Sequence, residues 1–196
     1  MSEYKNIVLI GPRCCGKTSV GKDLASKIGV PFVDADDRFH EIHHCSIAEF
    51  KKAHGDNWEA EFREIEADVL SNLCGEYQSG AVLAPGGGAV AHDKGIQYRD
   101  QNVRTLKAFG RVFYLLPSND LKRSAEVLAE RQARDQASQG QRPSLTGEKD
   151  PLKEMLELIT KRHPLYLAAS TEQPVYTGSL FVHNVSQMIL DKLNGN

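Results

Sequence analysis

The feature that most constrains this chain is a glycine-rich segment that follows a short apolar run near the N-terminus. Residues 7–10 read Ile-Val-Leu-Ile, and residues 11–18 read Gly-Pro-Arg-Cys-Cys-Gly-Lys-Thr. The second segment fits the phosphate-loop pattern G-x-x-x-x-G-K-[ST] at every defined position. Apolar residues then recur at helical spacing, at Val20, Leu24, Ala25 and Ile28. The order strand, loop and helix predicts a nucleoside triphosphate site at a helix N-terminus.

Each part of this loop has a physical role in holding phosphates. Gly11 and Gly16 permit positive φ, so that successive backbone N–H groups can turn inward around phosphate oxygens. Lys17 is placed to meet the β- and γ-phosphates, and the Thr18 hydroxyl is placed to meet Mg²⁺. We predict that the nucleotide contacts the whole run of Gly11, Pro12, Arg13, Cys14, Cys15, Gly16, Lys17, Thr18 and Ser19.

Two carboxylates follow the second predicted strand. Residues 30–33 read Val-Pro-Phe-Val and lead into Asp34 and Asp36. Ligands of open α/β sheets bind at the carboxyl ends of the strands. Acids on alternate residues at that edge therefore indicate function.

The rest of the chain alternates helices and strands. Ser46 and Glu49 form a predicted capping box for a helix that stops at Gly55. Further strands are predicted at 81–84, 111–116 and 175–177, and further helices at 56–73, 118–131 (capped by Ser118), 150–169 and 180–193. This alternation predicts an α/β fold, one domain over residues 1–196, with a five-stranded parallel sheet and helices on both faces.

Two loops are candidates for contact with ligands. The third predicted strand ends in Pro85-Gly86-Gly87-Gly88, and consecutive glycines allow a close approach between backbone and ligand. Residues 134–149 form a polar segment with Gly and Pro and few apolar side chains. Because long loops are uncommon in a compact domain, this segment is predicted to be an active-site lid.

The charged residues offer the parts that phosphoryl transfer needs, which are positioning, positive charge and an acid for the nucleophile. Asp36 could accept a hydroxyl proton, and Asp34 could hold Mg²⁺ through water. Lys17, Arg131 and Arg142 could contact the phosphates and the base of the nucleotide. Two arginines remain, Arg63 and Arg162, and a guanidinium pairs with a carboxylate in a bidentate fork. Periodicity alone leaves Arg63 and Glu66 equally compatible with a cleft and with a solvated helix face.

Taken together, these motifs resemble the shikimate kinase family. The order is the phosphate loop, the acid pair, Phe62-Arg63-x-x-Glu66, the triple glycine, Arg142-Pro143, and Arg162 with Tyr166. The phosphate loop alone is shared with many kinases, whereas the combination is specific and covers almost the whole chain.

The resemblance implies a three-layer phosphate-loop kinase fold similar to nucleoside monophosphate kinases. It also implies ATP-dependent phosphorylation of the 3-hydroxyl of shikimate, in the chorismate pathway of aromatic amino acid biosynthesis. The matching positions imply that Asp36, Lys17 and Arg142 are catalytic. They assign shikimate to Asp36, Arg63, Gly86, Gly87, Gly88 and Arg162, Mg²⁺ to Thr18 and Asp34, and adenine to Arg131.

Composition bears on partners and location. The formal net charge is −2 with both signs spread along the chain, which disfavours a nucleic-acid or membrane-surface partner. No long apolar segment precedes the first predicted strand, and the four cysteines lack disulfide-framework spacing. We therefore expect a cytoplasmic monomer whose partner is a small molecule.

Three alternatives compete with parts of this interpretation. His40, His43, His44 and Cys45 lie at helical spacing and could suggest zinc, although no second ligand set follows and a solvated helix face is favoured. The chain could instead phosphorylate another small polyol such as gluconate. It could also be a regulator that binds nucleotide without turnover, although none of the acids or arginines needed for catalysis is missing.

Overall fold

Five parallel strands form the centre of the molecule. The computed structural model describes residues 6–139, 148, 150–178 and 180–195. The strands are β1 (Asn6–Ile10), β2 (Phe32–Asp34), β3 (Ala81–Ala84), β4 (Arg111–Leu116) and β5 (Val175–Tyr176). They form one sheet in the order β2-β3-β1-β4-β5. All four neighbouring pairs are parallel.

Helices connect and cover these strands. Their bounds are α1 (Lys17–Ile28), α2 (Ala35–His43), α3 (Ile47–His54), α4 (Trp58–Glu76), α5 (Ile96–Phe109), α6 (Leu121–Gln139), α7 (Pro151–Ala169) and α8 (Val182–Leu193). A short 3₁₀ turn, Gly55–Asn57, joins α3 to α4.

The burial of the central strands shows that both faces of the sheet are covered. Successive strand residues point to opposite faces, yet Ile7, Val8, Leu9 and Ile10 are all 1% exposed or less. The same holds for all four residues of β3. A continuous apolar run of this kind is typical of a parallel sheet between two helix layers, which confirms the predicted α/β fold.

Several helix boundaries follow local signals that the sequence shows. Gly29 ends α1 in the left-handed conformation, with φ 71°. Ser46 and Glu49 form the predicted capping box at the start of α3. The Asp150 carboxylate accepts hydrogen bonds from the N–H groups of Leu152 and Lys153, with Pro151 in the first turn of α7.

Other boundaries differ from the sequence-based prediction. α5 was not predicted, because only Asn102 and Leu106 of its residues are buried and its apolar periodicity is therefore weak. The prediction that Ser118 caps α6 is wrong. The Asp120 carboxylate instead accepts from Lys122 N and Arg123 N at 2.8 and 3.2 Å. The second strand begins at Phe32, two residues later than predicted.

The predicted lid is partly helical. α6 continues eight residues beyond Arg131 and ends at Gln139, so residues 134–139 belong to a helix and that part of the loop prediction is wrong. Helix formers such as Ala133, Arg134 and Gln136 explain the extension. Residues 140–147 and 149, which include Arg142, lie outside the described part of the chain.

The topology brings the motifs to one edge of the sheet. The phosphate loop follows β1, the acids follow β2 and the triple glycine follows β3, and these three strands are neighbours. Among the described residues, no helix has the length and apolar character needed to cross a membrane.

Candidate active site

The phosphate loop has the backbone conformation that its sequence predicts. Gly11 and Gly16 have φ of 145° and 103°, and Cys14 also has positive φ, at 61°. Gly16 leads directly into α1, so the first N–H groups of that helix face the loop. The Lys17 ammonium donates to the carbonyls of Gly11 and Pro12 at 3.0 and 3.1 Å, which holds its charge over the loop. The arrangement provides an anion site built from backbone donors and one cation.

Side chains of the loop differ in what they can contact. The Cys15 side chain is 1% exposed and belongs to the hydrophobic core, so only its backbone is available to a phosphate. Cys14 is half-buried, and its thiol donates to the Asp135 carboxylate of α6 across 3.6 Å. Ser19 is exposed in the first turn of α1. Pro12 and Arg13 line a neighbouring cavity, so the loop also borders a second space beside the phosphate site.

Thr18 and Asp34 face each other across the sheet edge. The Thr18 hydroxyl donates to Asp34 Oδ2 at 3.1 Å. The other oxygen of this carboxylate accepts from the backbone N–H of Asp36 at 3.1 Å and caps α2. A hydroxyl and a carboxylate beside a phosphate loop form an all-oxygen donor set, which is the type that Mg²⁺ prefers.

Strand register brings Asp36 to the triple glycine. Asp34 is the register partner of Ala84, so the residues that follow β2 and β3 emerge side by side. A methyl group added at Gly86 would lie 2.8 Å from Asp36 Oδ1 and 2.9 Å from Glu66 Oε1. Glycine is therefore required here for space, and the backbone approaches two carboxylates.

Arg63 and Glu66 form a buried ion pair on α4. Each residue is 6% exposed, and Arg63 Nη1 donates to Glu66 Oε2 at 2.8 Å. This resolves the alternative that the sequence left open, because both side chains face the cleft. Burial raises the pKa of the Glu66 carboxyl to about 7, and the neighbouring Arg63 charge opposes that rise. A methyl group at Gly88 would lie 2.8 Å from Arg63 Nη2, so the glycine loop also packs closely on the guanidinium.

A cavity of about 180 Å³ joins these groups. Its charged lining includes Asp36, Arg63, Glu66 and Arg162, and Gly86, Gly87 and Gly88 form part of its wall. The apolar lining includes Ile47, Trp58, Phe62, Met155 and Leu158. A cavity of this kind suits a small ring that carries hydroxyl groups and a carboxylate.

Tyr166 of α7 packs against the triple-glycine loop and is hydrogen-bonded to it. It is 1% exposed, stacks on Tyr114 with ring centroids 5.0 Å apart, and donates a hydrogen bond to the carbonyl of Gly87. Burial raises the pKa of the Tyr166 hydroxyl to about 12, so it stays protonated and remains a donor. The sequence placed Tyr166 among the motifs but gave it no role, because a contact across 79 residues leaves no local signal.

Arg131 ties α6 to the nucleotide end of the site. Its guanidinium donates to the Cys14 carbonyl at 3.3 Å and to the Gly178 carbonyl at 2.8 Å. The residue thus lies between the phosphate loop and the segment that follows β5. This position is compatible with the predicted place beside a nucleotide base.

The histidines in and after α2, which the sequence offered as possible zinc ligands, lie in separate environments. The His43 ring stacks on Phe39 with centroids 4.6 Å apart, and His44 has left-handed backbone geometry after the helix end, with φ 53°. His40 is exposed. Within the described residues, no three His, Cys, Asp or Glu side chains gather in a way that could hold a metal ion.

Comparison with known proteins gives a family whose members fit this site. A sequence profile described as shikimate kinase matches residues 13–193. Shikimate kinase 2 of Yersinia pseudotuberculosis is 34% identical over 191 residues, which cover 96% of this chain and 98% of that protein.

Solved structures extend the likeness to the fold. A shikimate kinase from Acinetobacter baumannii in complex with shikimate matches with a TM-score of 0.80 and 29% identity, over 99% of this chain and 95% of that one. A shikimate kinase from Bacteroides thetaiotaomicron matches with a TM-score of 0.74 and 25% identity, over 97% and 98% of the two chains. These matches confirm the resemblance that the motifs carried, and the chain belongs to the shikimate kinase family.

Proposed function

We propose that this protein transfers the γ-phosphoryl group of ATP to the 3-hydroxyl of shikimate, giving shikimate 3-phosphate for chorismate and aromatic amino acid biosynthesis. The observation that carries the proposal is one cavity lined by Asp36, Arg63 and Arg162 whose wall includes Pro12 and Arg13 of the phosphate loop. Acceptor and phosphate sites therefore share a boundary, as a direct transfer requires.

The cavity lining supports binding of an acceptor that has a carboxylate. Arg63 and Arg162 are the cations for the carboxylate, and the triple glycine lets backbone and ligand approach closely. Trp58, Phe62 and the other apolar lining residues cover the ring. Tyr166, through the Gly87 carbonyl, fixes the loop against which the acceptor packs.

Asp36 is the group that we assign to the acceptor hydroxyl. It accepts the proton of the 3-hydroxyl while that oxygen forms a bond to the γ-phosphorus, and the bond between the γ-phosphorus and the bridging oxygen breaks to release ADP. Lys17 holds positive charge at the phosphate loop as charge moves to the leaving oxygen. We assign the same role to Arg142 from the lid, as the family motif implies.

The donor set at the sheet edge fits Mg²⁺. Thr18 and Asp34 would hold the ion directly or through water, since their oxygens lie 3.1 Å apart beside the loop. When bound, the ion neutralises phosphate charge and aligns the phosphates. In the proposed arrangement, Asp34 also orients Asp36 by accepting its backbone N–H.

We further propose that the protein acts as a cytoplasmic monomer on small molecules, without nucleic-acid or membrane partners. The spread of charge and the net charge of −2 support the absence of nucleic-acid and membrane partners.

Arg131 is assigned to the nucleotide, beside its base. The position of Arg131 between the Cys14 and Gly178 carbonyls supports this assignment.

A coupled assay of ADP release tests the activity. The purified protein is supplied with ATP and Mg²⁺, and with shikimate, quinate, gluconate or no acceptor. We expect rapid release with shikimate and little in the other three reactions. Faster release with gluconate would support a polyol kinase instead, and no acceptor-dependent release in any reaction would support a nucleotide-binding regulator.

A further inference from the structure

Arg63 is shared by two carboxylates of its own helix. Glu66 lies one turn after it, with Oε2 at 2.8 Å from Nη1, and Glu59 lies one turn before it, with Oε1 at 3.6 Å from Nη2. The Glu66 side chain is 6% exposed and the Glu59 side chain 25% exposed. Arg63 Nε has no hydrogen-bond partner among the described residues. The guanidinium is therefore held firmly on one side and more loosely on the other.

Glu59 also faces a second cation on its outer side. Its Oε2 lies 3.8 Å from Lys94 Nζ, and the Lys94 side chain is 66% exposed. Lys94, two further lysines and Asp56 line an open hollow of about 570 Å³. Trp58 belongs to the walls of both the hollow and the acceptor cavity, so the two spaces are neighbours. Glu59 thus bridges a buried arginine and an exposed lysine at the edge of the hollow.

An acceptor carboxylate would be the third carboxylate around Arg63. Like charges repel strongly where solvent is excluded, and a single guanidinium has a limited number of donors. Glu66 cannot leave easily, because it is buried and paired at hydrogen-bond distance. Glu59 is displaced more easily, because it is partly exposed, lies 3.6 Å from Arg63, and has its other oxygen already 3.8 Å from Lys94.

We propose that Glu59 is a placeholder that occupies Arg63 Nη2 until the carboxylate of the acceptor replaces it, and that Lys94 receives the displaced Glu59. This inference rests on the proposed function, since it assigns the acceptor carboxylate to Arg63. Glu59 is then a specificity-determining residue. An acceptor with a carboxylate displaces it, whereas a neutral acceptor meets an arginine that is already paired.

Substitution of Glu59 by Gln tests the placeholder directly. Removing its charge frees Nη2, so KM for shikimate should fall by roughly twofold to fivefold, the range of a partly exposed ion pair, while kcat stays unchanged. The carboxamide analogue of shikimate should show no gain in the same variant. Glu64→Gln is the matched control, because it removes the same charge from an exposed position on the same helix.

A double-mutant cycle tests the role of Lys94. Lys94→Met leaves Glu59 with Arg63 alone, so KM for shikimate should rise by roughly twofold to threefold. In the Glu59→Gln background the same change should have no effect. Quenching of Trp58, the single tryptophan of the chain, gives the shikimate dissociation constant without turnover.

Whether KM for shikimate falls or rises in Glu59→Gln decides between a placeholder role and a positioning role for Glu59. If Glu59 instead orients Arg63 for the acceptor, Glu59→Gln raises KM, and either that result or an unchanged KM would overturn the inference. A gain of equal size in Glu64→Gln would overturn it as well, since it would reflect net charge alone. Wild-type turnover of shikimate in the same series tests the proposed function separately. Its absence would overturn both claims, and its presence with an unchanged KM in Glu59→Gln would overturn only the placeholder.

Discussion

The nucleotide end and the acceptor end of the site are built in different ways. The nucleotide end is one continuous segment whose backbone supplies the donors, and its glycines have φ of 145° and 103°. The acceptor end consists of side chains from α2, α4 and α7 that meet around a glycine loop. Gly86, Gly87 and Gly88 have no positive φ in the range that favours glycine.

This difference shows that glycine serves two separate purposes in one site. At Gly16 a methyl group would find its nearest atom at 3.7 Å, so the conformation is what requires glycine. At Gly88 a methyl group would meet the Arg63 guanidinium at 2.8 Å, so space is what requires it. Chemistry at the nucleotide end therefore depends on backbone shape, whereas chemistry at the acceptor end depends on packing between distant side chains.

The largest effect is expected from the acid at the boundary between the two ends. Asp36→Asn should reduce kcat by about 10²–10⁴-fold if Asp36 is the general base, and ATP binding should be little affected. Asp37→Asn is the matched control, because it removes the same charge from the same helical turn. Steady-state kinetics and a separate ATP titration measure both variants. A kcat within threefold of wild type in Asp36→Asn would remove the assignment of a base.

The two kinds of glycine can be separated by one pair of substitutions. Gly16→Ala strains the loop and should raise KM for ATP by roughly tenfold, with a small effect on shikimate. Gly88→Ala forces the guanidinium end of Arg63 to shift, so KM for shikimate should rise by roughly tenfold while KM for ATP changes little. Kinetics with each substrate varied in turn checks this. If each variant raises KM for ATP and KM for shikimate by the same factor, the two glycines do not serve separate purposes.

The buried pair at the acceptor end should make stability depend on pH. The pKa of Glu66 is raised from 4.5 to about 7 by burial, so the folded protein holds its proton where the unfolded chain has lost it. Its contribution to stability is complete below about pH 4.5 and is lost as pH rises to about 7. Thermal unfolding of wild type and Glu66→Gln between pH 5 and 8 measures this. As pH rises through this range, the melting temperature of wild type should fall relative to that of Glu66→Gln. If the melting temperatures of the two proteins change in parallel with pH, the raised pKa of Glu66 is contradicted.

The smallest effect concerns the thiols of the phosphate loop. Cys15 is 1% exposed whereas Cys14 is half-buried, so an alkylating reagent should modify Cys14 before Cys15. ATP should slow that modification because it covers the loop. Mass spectrometry of the modified peptide with and without ATP identifies the site. Modification of Cys15 at the same rate as Cys14 would show that the core around the loop opens more readily than its burial indicates.

The sequence predicts the nucleotide end well because its determinants are local. A strand, a glycine loop and a helix follow each other within residues 6–28, and each boundary depends on neighbours in the chain. The Thr18–Asp34 contact was also predictable, since parallel strands bring their carboxyl ends together. Motif resemblance supplied the roles of single residues at both ends, and those roles stay predictions.

The acceptor end was less predictable for physical reasons. Helical periodicity could not decide whether Arg63 and Glu66 face solvent, because a charged face looks the same in either case. The place of Glu59 needs three-dimensional contacts with Arg63 and Lys94, although its position four residues before Arg63 is a signal that could have been used. The loop prediction failed at residues 134–139 because polar residues with good helix propensity read as a loop when apolar periodicity is the only criterion.

The proposal that two arginines bind the carboxylate of shikimate is tested by comparing shikimate with its carboxamide analogue as acceptor for the wild-type enzyme. The amide is uncharged and has an NH2 donor in place of one of the carboxylate oxygens that Arg63 and Arg162 are assigned to recognise. Losing one charge-assisted contact weakens binding by about 1.5–3 kcal/mol, so kcat/KM for the amide should be lower by roughly tenfold to a hundredfold. In Arg63→Ala the preference for the acid should shrink, because Arg162 alone remains to recognise the charge, and in the double variant Arg63→Ala/Arg162→Ala the two acceptors should become nearly equal. Equal kcat/KM values for acid and amide with the wild-type enzyme would contradict a carboxylate clamp, and with it the assignment of the cavity to shikimate.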